Sequence, residues 1–212
     1  TAFPPALVYN DRYFQALIFF VFRRILMKLT PGKLYSIDEL IRAMIEGSDN
    51  NATALLFDYL NQDSLQDAFS DLGLKSLLSE NTKNTSDIIS VKSYSYIFRI
   101  LYNSTYLSRE LSEKALQYLS YADFNQGIVG GLPKGVIAAQ KFGERTILAP
   151  DGVTPLRREL HDCGIVYYPE HPYLLCVMTR GEDFDTLANA IRSVSALVYG
   201  DVDKRYHVKN SP

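Results

Sequence analysis

The sequence predicts an α+β fold, an antiparallel β-sheet flanked by helices together with a helical subdomain. Three observations predict it. Helical periodicity and helix-capping residues dominate from residue 36 to about residue 125. After Gly127, Gly130 and Gly131 the apolar period shortens to that of strands. A last amphipathic stretch follows the final strand, so the order is helices, strands, helix, without the alternation of a parallel sheet.

The elements follow in order. Residues 1–28 contain Pro4-Pro5, a turn signal at Asn10-Asp11 and a bulky apolar run, and over residues 15–29 helix and strand fit equally. Thr30-Pro31-Gly32-Lys33 reads as a turn. Ser36 and Glu39 form a capping box that opens a helix with Leu40, Ile41, Met44 and Ile45 on one face, ended by Gly47. A second helix follows Ser48-Asp49-Asn50, with Ala52, Leu55, Leu56 and Tyr59 at helical spacing. Asp63 or Ser64 caps a third, with Leu65, Phe69 and Leu72 inward and Gly73 closing it. Residues 81–86 are polar and read as loop. Ser90 opens a fourth helix with Tyr94, Ile97, Phe98 and Leu101 inward, and Ser108 a fifth with Leu111, Ala115, Leu116 and Leu119 inward. Strands are expected at 135–142, 160–168 and 173–180, the last two joined by Pro169-Glu170-His171-Pro172, and a helix at 184–199. The charges from Asp201 to Lys204 read as a solvated helix end.

The 212 residues suffice for one domain with a sizeable core. A net charge of −2 gives no electrostatic reason to expect nucleic acid or an anionic membrane as partner. The longest early apolar run ends at Arg23-Arg24, too short to span a bilayer. The sequence opens at Thr1 without Met or a leader-like stretch, the start expected of a processed or truncated product. Two cysteines without a C-x-x-C pair speak against zinc, and no cofactor is expected. Cys163 and Cys176 lie in the expected hairpin. The strand register decides whether they sit opposite or diagonal, and the geometric demands of a bridge weigh against a disulfide. His161, His171 and His207 lack metal-ligand spacing and read as solvated or hydrogen-bonded. Glu144 and Asp162 form a carboxylate pair only if adjacent strands align them. Of Tyr94, Tyr96, Tyr102 and Tyr106 most read as packing residues, with one or two at the border of a groove.

Three signals stand in a telling order: Ser48-Asp49-Asn50 between two helices, Lys141-Phe142-Gly143 at the end of a strand, and the hairpin plus C-terminal helix. A lone Ser-Asp-Asn is most often a helix cap. The context changes that weight. Residues 34–60, L-Y-S-I-D-E-L-I-R-A-M-I-E-G-S-D-N-N-A-T-A-L-L-F-D-Y-L, closely resemble the region around the S-D-N motif of class A β-lactamases and related D,D-peptidases. K-F-G falls where that family of penicillin-recognising serine hydrolases has K-T-G, and H-D-C-G-I-V-Y-Y and Y-L-L-C-V-M-T-R-G match its last two strands in pattern. The resemblance runs over about residues 29–199. It implies a serine acyl-enzyme chemistry on β-lactams or D-Ala-D-Ala peptides. Ser48 would relay a proton toward the leaving nitrogen, and Asn50 would bind the substrate side-chain amide and orient a catalytic lysine. Lys141 would supply positive charge, with Gly143 and Arg145 beside the substrate. It also implies an extracellular or periplasmic location, with or without a membrane tether.

The departures matter as much. The family nucleophile is the serine of S-x-x-K, and these residues contain no S-x-x-K. The family's N-terminal strands and nucleophile helix are therefore expected to be missing. Residues 1–28 would then form an atypical segment ahead of a partial domain at 29–212, its helical part at about 36–125 and its sheet and last helix at about 135–200. A second chain or a preceding segment would complete the fold. Phe142 replaces the K-T-G threonine, a hydroxyl that contacts the substrate carboxylate in the family. Arg145 either grips that carboxylate instead or is a solvated strand charge. No E-x-x-L-N lies between Ser86 and Gly127, which argues against efficient β-lactam hydrolysis. The expected function is thus a serine-hydrolase homologue inactive as this chain. The alternatives are a non-catalytic peptidoglycan-peptide or partner-binding protein, and an interaction module with coincidental motifs.

Overall fold

A strand buried on both faces sets the architecture. The computed structural model describes residues 29–74 and 89–206, and the readings made for 1–28, 81–86 and His207 lie outside them. The described sheet has three antiparallel strands in the order β1 (Ala138–Leu148), β2 (Pro155–Val166) and β3 (Tyr173–Gly181). In β2 the run from Asp162 to Val166 is buried without a break, because helices cover both faces of the centre strand.

The helices before the sheet are α1 (Ile37–Glu46), α2 (Asn50–Tyr59), α3 (Gln62–Asp71), α4 (Val91–Tyr102) and α5 (Arg109–Ser120). The helix after it is α6 (Phe184–Tyr206). Successive strand residues face opposite layers. Ala138 packs with Leu160, Val166, Leu187, Ala188 and Ile191 on the α6 side. Its neighbour Ala139 packs with Phe98, Leu116, Leu119, Cys163 and Ile165 on the α4–α5 side. A short turn of 3₁₀ helix, Val129–Gly131, ties the layers together. Ser195 Oγ donates to the Ile128 carbonyl at 2.8 Å. A methyl group at Gly131 would sit 2.3 Å from the Arg192 carbonyl oxygen, so only glycine lets α6 approach this closely.

The capping box on α1 is present, with the Glu39 N–H donating to Ser36 Oγ and the Ser36 N–H to Glu39 Oε2. Ser90 and Ser108 cap α4 and α5 as expected. Helix α3 starts earlier than expected: Asn61, not Asp63 or Ser64, is its cap, and its Oδ1 accepts the Ser64 N–H. Several residues expected inward are exposed, namely Leu55, Tyr59 and Leu111, while Ala43 is the buried residue of α1.

The strands run longer than expected. β1 begins at Ala138 and continues six residues past Phe142, into a hairpin closed at Asp151, whose carboxylate accepts the Val153 and Thr154 N–H groups. Lys141-Phe142-Gly143 therefore lies in mid-strand and not at a strand end. β2 starts at Pro155, five residues before the expected 160. Helix α6 runs to Tyr206 instead of 199 because its last turns have partners. Tyr168 Oη donates to Asp203 at 3.0 Å, His171 stacks on Tyr206 at 3.7 Å, and Arg205 pairs with Asp201. As expected, the charges from Asp201 to Lys204 lie at the helix end, with Asp201 and Lys204 exposed to solvent. The register settles the cysteine question against the expectation: Cys163 faces Cys176 directly, with Cα atoms 4.0 Å apart, and the pair is joined as a disulfide. No helix among the described residues is long and apolar enough to cross a membrane.

Candidate active site

The junction between α1 and α2 presents the first group. Asp49 takes the capping duty for α2, its Oδ1 accepting the Asn51 N–H at 2.8 Å and the Ala52 N–H at 2.9 Å. That frees the residues on either side. Ser48 adopts a left-handed backbone, φ 50°, uncommon for a residue with a Cβ, and Asn50 opens the helix with its side chain exposed.

The second group comes from the sheet. Lys141, Cys163 and Cys176 form one row across the three strands, on the face that carries α4 and α5. From this row the Lys141 ammonium reaches across and donates to Ser48 Oγ. Residues 93 apart in sequence thus meet in one cleft. Tyr94 in the first turn of α4 fixes the strand there, its hydroxyl donating to the Lys141 carbonyl at 2.6 Å. Sequence reasoning left open which tyrosine borders the groove. It is Tyr94, while Tyr96, Tyr102 and Tyr106 are each more than two-fifths exposed.

Burial pushes the Lys141 ammonium down to about 8, with the charge of Asp162 acting in the opposite direction. Asp162 is fully buried, and burial pushes its carboxyl up to about 7. Its Oδ2 accepts the Ile128 N–H at 2.8 Å. Glu144 pairs with Leu160 and Asp162 with Phe142, so the two carboxylates stand on a diagonal and are not directly opposed.

The remaining predicted residues divide. A methyl group at Gly143 would meet no atom of the described residues within 4 Å, which leaves open space among them over the strand next to Lys141. Phe142 stacks on Phe124 with ring centroids 4.3 Å apart, and the Lys141 ammonium lies 5.2 Å from the Phe142 centroid. A packed ring thus occupies the position of the expected hydroxyl. Arg145 turns its Nε and Nη2 onto Glu159 Oε2 at 3.1 and 2.8 Å, beside Arg180 on Glu159 Oε1. It is neither a solvated charge nor an open fork, because the buried Glu159 needs its charge. His161 stands opposite Gly143 on the cleft face, with its buried Nδ1 making no hydrogen bond among the described residues.

The family model of the Beta-lactamase enzyme family matches residues 23–202. The chain belongs to the beta-lactamase enzyme family. No curated protein matches it. Among solved structures it is similar to PBP-A, with 24% identity over 83% of this chain and 64% of that one and a TM-score of 0.62. A mutant of PBP-A, solved as its acyl-enzyme complex with penicillin G, gives 22% identity over 84% of this chain and 66% of that one, TM-score 0.63. A representative class A beta-lactamase from Bacteroides cellulosilyticus gives 21% identity over 80% and 64%, TM-score 0.64. The chain therefore spans just under two thirds of the length of these structures, and it shares their α+β fold.

Proposed function

We propose that this chain carries the proton-relay and ammonium part of a serine hydrolase site that acts on β-lactams or D-Ala-D-Ala-type peptides. The observation that carries this reading is the hydrogen bond from Lys141 Nζ to Ser48 Oγ. Acyl transfer needs a hydroxyl that passes a proton to the leaving nitrogen and a fixed positive charge near the developing anion. A serine held by an ammonium in a half-buried cleft meets both needs. Asn50, one residue past the capping aspartate, orients the substrate amide, and the open space over Gly143 receives the substrate.

The attack itself belongs to the serine of an S-x-x-K, which these 212 residues do not contain. The chain alone consequently binds such ligands without forming an acyl-enzyme. The expected outcome with a labelled penicillin is no covalent adduct. In its place, chemical-shift changes that saturate are expected at the Ser48, Asn50 and Lys141 amides, and these vanish in K141A. A covalent adduct on this chain, or ligand shifts that ignore K141A, would overturn the reading. The lack of S-x-x-K also favours a second reading, a non-catalytic binder of peptidoglycan peptides. The same assay on a longer gene product that supplies the motif separates the two: a stable adduct marks the hydrolase, and reversible binding alone marks the binder. The proposed place of action is outside the cytoplasm, where such wall peptides are met.

A further inference from the structure

The loop that follows α5 touches both halves of the proposed site. The Asp123 N–H donates to the Glu46 carbonyl at 2.8 Å, a bond at the closing end of α1 and just ahead of Ser48 in the chain. The next residue meets the sheet. The Phe124 carbonyl accepts a hydrogen bond from Gln140 Nε2, and the Phe124 ring stacks on Phe142 with centroids 4.3 Å apart. Gln140 and Phe142 are the chain neighbours of Lys141 on either side. Two consecutive residues, Asp123 and Phe124, thus join the helix that leads to the hydroxyl with the strand that carries the ammonium.

The ring is held from behind. A methyl group at Gly127 would sit 2.6 Å from Phe124 Cε1, so the chain closes over the ring as only glycine permits. One residue further on, the Ile128 N–H donates to Asp162 Oδ2 at 2.8 Å and anchors the loop to β2. Phe124 and Phe142 both pack against the core on the α6 side. Successive strand residues face opposite layers, so the Lys141 side chain points away from the ring. The ring therefore acts on Lys141 through the backbone: with residues 140 and 142 gripped, residue 141 has little freedom to shift. The other anchors described for the site each fix one half of it. Tyr94 ties the Lys141 carbonyl to α4. Tyr118 and Lys114 tie Asp38, in the opening turn of α1, to α5.

We infer that Phe124 is a positioning residue for the Ser48–Lys141 pair: its ring and carbonyl grip both neighbours of Lys141 while the residue before it holds the end of α1, so the loop after α5 sets the spacing between hydroxyl and ammonium. Reacting groups need to be held within about 0.5 Å of their working geometry by side chains that are themselves locked in place, and a ring between Gly127 and Phe142 is so locked. The inference rests on reading Ser48 and Lys141 as one site, but its test uses no β-lactam.

The test follows the nuclear Overhauser contact between the Lys141 ε-protons and the Ser48 β-protons in the full chain. It is expected in the unsubstituted protein and in F124Y, which keeps the ring, and is expected to disappear in F124A while the cross-strand signals between β1 and β2 persist. A residue that merely filled the core would lower the unfolding midpoint and leave the Lys141–Ser48 contact in place. A contact that survives in F124A with the strength it has in the unsubstituted chain would overturn the inference and leave the proposed site standing. A contact absent from the unsubstituted chain would overturn both. Should F124A not fold, F124L removes the stack but keeps the bulk, and a surviving contact there overturns the inference equally.

Discussion

Ser48 combines a chemical group with an unfavourable backbone. At φ 50° a Cβ crowds the following carbonyl, a cost on the order of 1 kcal/mol that glycine avoids. S48A and S48G both lose the hydroxyl that meets Lys141. Thermal unfolding should therefore find S48G more stable than S48A by roughly 1 kcal/mol, and equal stabilities would show that the backbone is unstrained. Lys141 and Asp162 give stability a pH dependence of opposite slopes. Asp162 is raised from 3.8 to about 7 on folding, so its contribution is fullest below about pH 4 and is lost as pH rises through 7. Lys141 is lowered from 10.5 to about 8, so its contribution is present above 10.5 and lost as pH falls through 8. Unfolding free energy should fall from about pH 4 to 7 and climb again above 8, each change on the order of 3 kcal/mol. Denaturant titrations of the chain, D162N and K141M check this: D162N should flatten the lower limb and K141M the upper. The meeting of Ser48 and Lys141 was legible in the sequence because motif spacing marks them. Asp162 was not, since burial is decided by strands far from it in the chain and its neighbours His161 and Cys163 give no local sign.

At the scale of the element, caps were read well and inward faces less well. Ser36, Ser90 and Ser108 cap where expected because a cap depends on its own few residues. Leu55 and Tyr59 have the right spacing on α2 but are exposed among the described residues, since spacing shows a face and not what covers it. The length of β1 was missed although its sign was present. Pro150-Asp151-Gly152 is a strong turn sequence, and Gly152 takes φ 71° there, but the polar alternation from Glu144 to Thr146 hid the strand that leads into it. Asp49 supports the clearest prediction at this scale. D49A removes the acceptor of two N–H groups and should cost about 1–2 kcal/mol. Amide exchange at Asn51 and Ala52 should quicken in that variant, while an unchanged rate there would mean that another group caps α2.

The layers of the whole molecule were predictable from the order helices, strands, helix, and the described sheet lies between α6 and the α4–α5 pair as that order requires. Strand register was not predictable, because it arises from cross-strand packing. Register put Cys163 on Cys176, and the bridge closes a loop with a sequence separation of 13. A loop near that size is stabilised by about 3 kcal/mol when bridged, so reduction should lower the unfolding free energy by that amount and the midpoint with it. A reductant-insensitive midpoint would show that the thiols are not joined in solution. The bridge, however, spans β2 and β3, whereas the ammonium stands on β1. A slip of one residue between β1 and β2 would turn Lys141 toward α6 and swing Gln140 or Phe142 into the cleft. The covalent lock thus secures the ladder away from Lys141, and a preparation with every sulfur correctly joined can still hold molecules whose Lys141 points away from Ser48.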